Sequence, residues 1–319
     1  ITRRDWSSDV CSSDLVNENF PAPLVDGYTV DGKLYGIPKD FDTNAVFYNK
    51  EIFDKAGVEY PSDNMTFEDF KAKCEELKNA GLPEGTYPTA VNRNSGQTTY
   101  DASVFANGGY FLSEGNEKSG WDDPKTIEAV QSWLDLVSEG LSPTLDQMAD
   151  TDPDAMFQGG QLAMYLSGNY MIASYDKTLE GKYGIAKRPT YNGKDTDIIN
   201  GLAFSVSANT KHPEEATDFA LWLGSEEAQK INGEAGVCIS ARNDCQQYFV
   251  DAHEGLNCQI FLDNVANAEL LPHCKITSQL GQVEKKYLEP AWKGEVKLED
   301  ACKSVAEEQN KLLEEMNAK

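Results

Sequence analysis

Asp31–Lys50 reads DGKLYGIPKDFDTNAVFYNK, and this stretch decides the fold class. It contains two apolar runs, KLYGIP over 33–38 and AVFY over 45–48. Both are short and rich in β-branched and aromatic residues, which predicts two strands. Between them lies Phe41-Asp42-Thr43-Asn44, with three hydrogen-bonding side chains in succession. Asn49 then stands where a helix cap belongs, ahead of KEIFDKA, and Gly57 is placed to end that helix. Strand, polar turn, strand and capped helix make an α/β pattern.

The pattern continues outward. Thr66-Phe-Glu-Asp69 reads as a capping box with Asp in the usual Glu position. Phe67, Phe70, Cys74 and Leu77 follow at helical spacing, and Gly81 ends the run. Asp123-Pro124 and Asp152-Pro153 are both a cap followed by proline at the first helical position. Leu162–Leu166 and Ala203–Ser207 predict further strands, and His212-Pro213 and Ser225 open further helices. Helices are expected from Gln279 to Trp292 and from Leu298 to about Met316.

Composition narrows the function. The 319 residues suit two lobes rather than one core. Lys and Arg number 28 against 53 Asp and Glu, a net charge of −25. Nucleic acids and anionic membranes are bound by basic surface, so neither is an expected partner. No apolar run reaches the length of a membrane-spanning helix. No two of the seven cysteines form a C-x-x-C pair. Cys238, Cys245, Cys258 and Cys274 lie close enough in sequence for a disulfide in an oxidising compartment, or serve as small buried apolar residues. The signatures H-E-x-x-H, G-x-S-x-G and G-x-x-x-x-G-K-[ST] are absent, and the three histidines stand apart. No catalytic residue, cofactor or metal site is expected, although an acidic pair of the glycosidase kind needs nearness only in space.

The opening ITRRDWSSDVCSSDL has no helical or strand period and no apolar segment of the signal-peptide kind. Asp5–Leu15 reads like a translated sequencing adapter, so residues 1–15 are expected to be foreign to the fold.

Four ordered segments resemble the extracellular solute-binding proteins of carbohydrate ABC importers, the maltose-binding-protein-like family. They are DGKLYGIPKDFDTNAVFYNK with EIFDKAG, FQGGQLAMYLSGNY at Phe157–Tyr170, NGLAFSVSANTKHPEEATDFALWLGSEEAQ at Asn200–Gln229, and WKGEVKLEDACKSVAEEQNKLL near the end. Together they cover nearly everything from Val16 to Lys319. The resemblance implies a two-lobed α/β fold of the periplasmic-binding-protein type II class, with an incomplete N-terminal lobe. Residues 16–42 and 199–270 would form that partial lobe, 43–198 the C-terminal lobe, and 271–319 helices crossing back to the latter. About three further strand–helix units of about 30 residues each would precede Val16 in an intact lobe.

The implied function is the extracytoplasmic binding component of an importer. It would be a monomer that captures a sugar or oligosaccharide by hinge closure and hands it to membrane permease subunits. A cell-surface lipoprotein or a periplasmic protein is implied, its export signal missing from this fragment. A non-sugar solute such as a polyamine, phosphonate or peptide is the alternative, and a secreted carbohydrate-active enzyme the next. Sugar hydroxyls need carboxylate and amide partners, which points to Asp42, Thr43 and Asn44. An aromatic ring can stack on a sugar's C–H face, which points to Tyr170 and Tyr100. Asn200 and Gly201 begin a returning strand where backbone can approach closely, and Arg242 completes the expected set.

Overall fold

A computed structural model describes residues 18–92 and 95–318. The adapter-like opening lies outside the described residues. By its contacts the chain divides into two compact units. The first comprises residues up to Thr43, Gly168–Lys177 and Ile199–Leu270. The second comprises Asn44–Ser167, Thr178–Ile198 and Leu271–Lys319. The segment 168–177 thus joins the first unit, whereas the sequence reading placed it in the C-terminal lobe. The reason is local: Asn169 is buried and hydrogen-bonded to the backbone of Phe41 and Thr43.

The first unit opens with helix α1 (Ala22–Gly27) and a hairpin of β1 (Thr29–Val30) and β2 (Lys33–Leu34). Asp31 and Gly32 both take positive φ in its turn, the conformation that lets a two-residue loop match strand twist. The run 33–38 is therefore not one strand. It breaks before Gly36, where an added Cβ would meet Ala203 Cβ at 2.7 Å, and β3 then runs Ile37–Asp42. β3 pairs antiparallel with β7 (Asp197–Phe204) and with β8 (Ile239–Ser240), and β9 (Ala268–Leu270) lies beyond β7. The expected strand over 203–207 is displaced toward 197–204. Its ladder stops at Phe204↔Ile37 because β3 begins there, and the Ser205 hydroxyl donates to the Tyr35 carbonyl instead. Helices α8 (Pro213–Leu223) and α9 (Glu226–Glu234) follow β7, and α10 (Gln247–Asp251) and α11 (Gln259–Asp263) follow β8.

The second unit holds the sheet β5-β4-β6, with β4 (Asn44–Asn49) between β5 (Met164–Gly168) and β6 (Tyr183–Lys187). β4 and β6 are antiparallel, from Ala45↔Lys187 to Asn49↔Tyr183. The expected strand at 162–166 begins two residues later, at Met164, and the Ala163 and Met164 N–H groups donate to the Tyr87 and Pro88 carbonyls. The helices are α2 (Lys50–Ala56), α3 (Phe67–Asn79), α4 (Asp101–Asn107), α5 (Pro124–Ser138), α6 (Pro153–Gln158), α7 (Ile172–Leu179, shared with the first unit), α12 (Thr277–Trp292) and α13 (Leu298–Asn317). Asn49, Thr66, Asp123 and Asp152 accept from backbone N–H groups at their helix starts, and Thr66 and Asp69 form the full capping box. Gly57 ends α2 in the left-handed conformation.

The main apolar core belongs to this unit. Phe67, Phe70, Trp121, Trp133 and Trp292 pack within it, and α12 and α13 press Val283, Leu288 and Ala291 against Leu298, Ala301 and Val305. Each Val, Leu or Phe side chain among them contributes roughly 1.5–3 kcal/mol on full burial. The cysteines described are free, and Cys74, Cys245, Cys258 and Cys302 are buried.

Polar groups in this core set its pH response. The Arg188 guanidinium lies over the Trp133 ring and donates to the Thr98 and Thr99 carbonyls. Asp101 is buried nearby; burial first, and then the Glu284 carboxylate, push its pKa up to about 8 against the opposing pull of Arg188. A carboxyl whose folded pKa exceeds its unfolded one, near 3.9, binds more protons folded than unfolded in between. Its contribution is therefore full below about pH 4 and is lost as pH rises toward 8. Urea titrations at several pH values should show stability falling across that window, and Asp101→Asn should flatten that part of the slope.

Candidate functional site

The expected site residues divide between the two units, and each set is built differently. In the first unit, Asp42 closes β3 and faces Asn200 directly across the antiparallel ladder to β7. Cross-strand partners project to the same face of a sheet with Cβ atoms about 5 Å apart. A carboxylate and an amide thus stand side by side, Asp42 half-buried and Asn200 exposed. Asp42 is a strand end, not the loop residue expected, because only Thr43 separates β3 from β4.

Tyr170 is tied to the same place through its neighbour. The Asn169 side-chain oxygen accepts from Thr43 N at 3.2 Å, and its amide donates to the Phe41 carbonyl at 3.3 Å. These two bonds bracket Asp42. Tyr170, one residue on, is 45% exposed, although it directly follows the buried strand β5 and Asn169. A Cβ on Gly168 would lie 2.2 Å from the Tyr170 ring, so the ring folds back over that glycine. The arrangement offers an acceptor, an amide and an exposed aromatic face.

Gly201 lies against the Asp40 carbonyl, which would stand 2.5 Å from an added Cβ. The Tyr28 hydroxyl donates to the Gly201 carbonyl at 2.6 Å. Burial, and then the Asp40 and Asp42 carboxylates, push the Tyr28 pKa up to about 12, so the phenol stays a neutral donor. Asp40 itself accepts from Leu202 N at 3.1 Å. Asn169, Tyr28 and Asp40 escaped the sequence reading. No spacing rule marks them; they matter only because β3, β7 and the turn after β5 meet.

The remaining expected residues do other things. Thr43 is fully buried, its hydroxyl donating to the Phe261 carbonyl at 2.8 Å. Asn44 is fully buried in the second unit, where its N–H and side-chain amide donate to Asp197 at 2.7 and 2.9 Å. Neither displays a side chain for a ligand. Tyr100 is only 6% exposed; it stacks on Trp292 at 6.1 Å and meets Trp121 edge-on. An aromatic in that setting is core packing. Arg242 is half-buried and engaged locally, with Asp244 at 2.8 Å and the Asn19 side chain at 3.2 Å. Among the described residues no group of three or more His, Cys, Asp or Glu side chains is placed to hold a metal ion. No helix among them is long and apolar enough to cross a membrane.

The chain matches the bacterial extracellular solute-binding protein family over residues 9–254. It belongs to that family. Among its relatives, the arabinooligosaccharide-binding protein of Bacillus subtilis is 30% identical over 212 residues, covering 64% of this chain and 47% of the relative. The maltooligosaccharide ABC transporter solute-binding lipoprotein of Streptococcus pneumoniae strain R6 is 24% identical over 273 residues, covering 83% of this chain and 62% of the relative. The chain thus spans about half to three-fifths of these relatives' length. The solved ABC substrate-binding protein of Listeria monocytogenes in complex with cycloalternan superposes with a TM-score of 0.83 at 23% identity. The match covers 93% of this chain and 76% of that one. At that identity the likeness shows the fold, and it is the α/β fold expected from the sequence.

The Asn169 bracket is testable. Asn169→Ala leaves the buried Thr43 N–H and Phe41 carbonyl without this partner. An orphaned buried group costs about 1–3 kcal/mol. Chemical denaturation should show a loss of that size, and a loss under about 0.5 kcal/mol would mean that the bracket does not organise the strand end.

Proposed function

We propose that the intact protein is the extracytoplasmic substrate-binding component of an ABC importer. It captures a sugar or oligosaccharide by hinge closure, as a monomer, and hands it to permease subunits in the membrane. The observation that carries the ligand class is the Asp42–Asn200 pair with the exposed Tyr170 ring. A neutral polyol needs acceptors and donors for its hydroxyls and a flat apolar surface for its C–H face, and these residues supply both. The names of the relatives above, arabinooligosaccharide-binding and maltooligosaccharide-binding, support the same class. Asp42, Tyr170 and Asn200 are the contacts, with the backbone at Gly201 held by Tyr28. Anchoring as a lipoprotein follows the Streptococcus relative. The role is binding rather than bond chemistry, in keeping with a family of solute-binding proteins.

The mechanism is an equilibrium between open and closed forms that ligand shifts, because a ligand favours whichever form offers it more contacts. Calorimetric titration of the protein with arabino- and malto-oligosaccharides tests the reading. At least one series should bind, and Tyr170→Ala should weaken it about 10- to 100-fold, corresponding to about 1.4–2.8 kcal/mol. Its melting temperature should hardly change, since the ring is exposed. Indifference to oligosaccharides, with tight binding of a cationic or phosphonate solute, would overturn the proposal.

A further inference from the structure

The ladder that sets Asp42 opposite Asn200 is irregular close to that pair. β3 and β7 pair as Ile37↔Phe204 and Pro38↔Ala203, then resume as Asp40↔Leu202, Phe41↔Gly201 and Asp42↔Asn200. Lys39 is the extra residue, a β-bulge on β3. The two halves of the ladder are therefore offset by one residue. If the first register ran on past Lys39, Asp42 would stand opposite the buried Ile199, and Asn200 would face Phe41. A slip of that kind exchanges the faces that a strand's side chains occupy.

Two ordinary ways of fixing register are weak on the bulge side of the pair. Pro38 has no N–H to give to the ladder. Asn200, Gly201, Leu202, Ala203 and Phe204 of β7 are all half-buried or exposed, so no buried alternation pins that half of the strand. At the far side of the pair the chain is already tied, since Asn44 donates to Asp197 and to the Ile198 carbonyl. A second tie is needed to keep the bulge from moving into the pair.

Asp40 supplies it. The residue is 7% exposed and divides its carboxylate between two partners. One oxygen meets the Lys39 ammonium at 2.7 Å, and the other accepts from the Leu202 N–H at 3.1 Å. The first contact is with its own chain neighbour and fixes nothing across the sheet. The second reaches the partner strand at the first pair after the bulge, and a bond to a carboxylate is stronger than one between neutral groups. The opposite flank of the bulge is held too: Ala241 N donates to the Lys39 carbonyl at 3.2 Å, and Asp40 pairs with Ser240 of β8. We propose that Asp40 is a positioning residue for ligand binding: by receiving the Leu202 N–H it confines the bulge to Lys39 and keeps Asp42 opposite Asn200. This role rests on Asp42 and Asn200 being the ligand contacts proposed above.

Register and affinity can be read separately. The register probe is a cross-strand disulfide between Asp42→Cys and Asn200→Cys, located by peptide mass spectrometry, and it needs no ligand. It should form in the otherwise unsubstituted protein. With Asp40→Leu, which removes the acceptor, its yield should fall to about half or less. Asp40→Asn keeps an acceptor oxygen and should restore it. Without the added cysteines, Asp40→Leu should weaken oligosaccharide binding about 10-fold or more, and Asp40→Asn by less than about threefold. A side chain that served stability alone would lower the melting temperature and leave the disulfide yield of the folded protein unchanged. Residue-level hydrogen exchange of the unsubstituted protein does not depend on how a variant folds, and there the Leu202 amide should be protected. A freely exchanging Leu202 amide, a disulfide absent from the otherwise unsubstituted protein, one that forms equally well with Asp40→Leu, or one that Asp40→Asn fails to restore would overturn the proposal. Loss of the disulfide with Asp40→Leu, in a protein that binds no oligosaccharide, would uphold the register role and overturn the ligand reading instead.

Discussion

The peptide between Thr43 and Asn44 is the constraint on which the rest depends. It is where the chain first passes from one compact unit to the other, and both residues are fully buried. On one side Asn169 accepts from Thr43 N, and Phe261 receives the Thr43 hydroxyl. On the other, Asp197 accepts from the Asn44 N–H and amide, and from its own neighbour Ile198 N. Buried backbone donors must be satisfied somewhere, and here distant side chains satisfy them. Burial raises the Asp197 pKa while Arg188 and these donors oppose it, so the carboxylate depends on its partners.

Those same bonds explain why the candidate site has its shape. With Thr43 turned inward, Asp42 is left at the strand end beside Asn200, and Asn169, bonded on both sides of Asp42, directly precedes Tyr170. Display of one residue is therefore bought by burial of the next. Tyr28 holds the Gly201 carbonyl next to that pair.

The two units differ in how they are stabilised. The second closes an aromatic core around Trp121, Trp133 and Trp292, with Arg188 and Asp101 inside it. The first rests on short strands, tight backbone approaches such as Gly201 on Asp40, and short helices that bury Leu24, Val25, Phe249 and Phe261. Stability of this chain is thus expected to be concentrated in the second unit, since apolar burial is the dominant favourable term.

What the sequence by itself determined is local. Asn49, Thr66, Asp123, Asp152 and Ser225 were legible as caps because a side chain bonding two or three residues ahead needs nothing but the helix it starts. The α/β class was legible because strand and helix periods alternate along the chain. Asp42, Asn200 and Tyr170 were named as candidates only by chemical type and through a resemblance. Tertiary structure alone decided that Tyr100 is core rather than surface, that Thr43 and Asn44 point inward, and that Asn169 binds the chain 126 residues upstream. It also set where β7 begins and ends, since a strand extends only as far as its partner does. The physical reason is common to all of these: which way a polar or aromatic side chain faces is set by partners distant in sequence, and no local period records them.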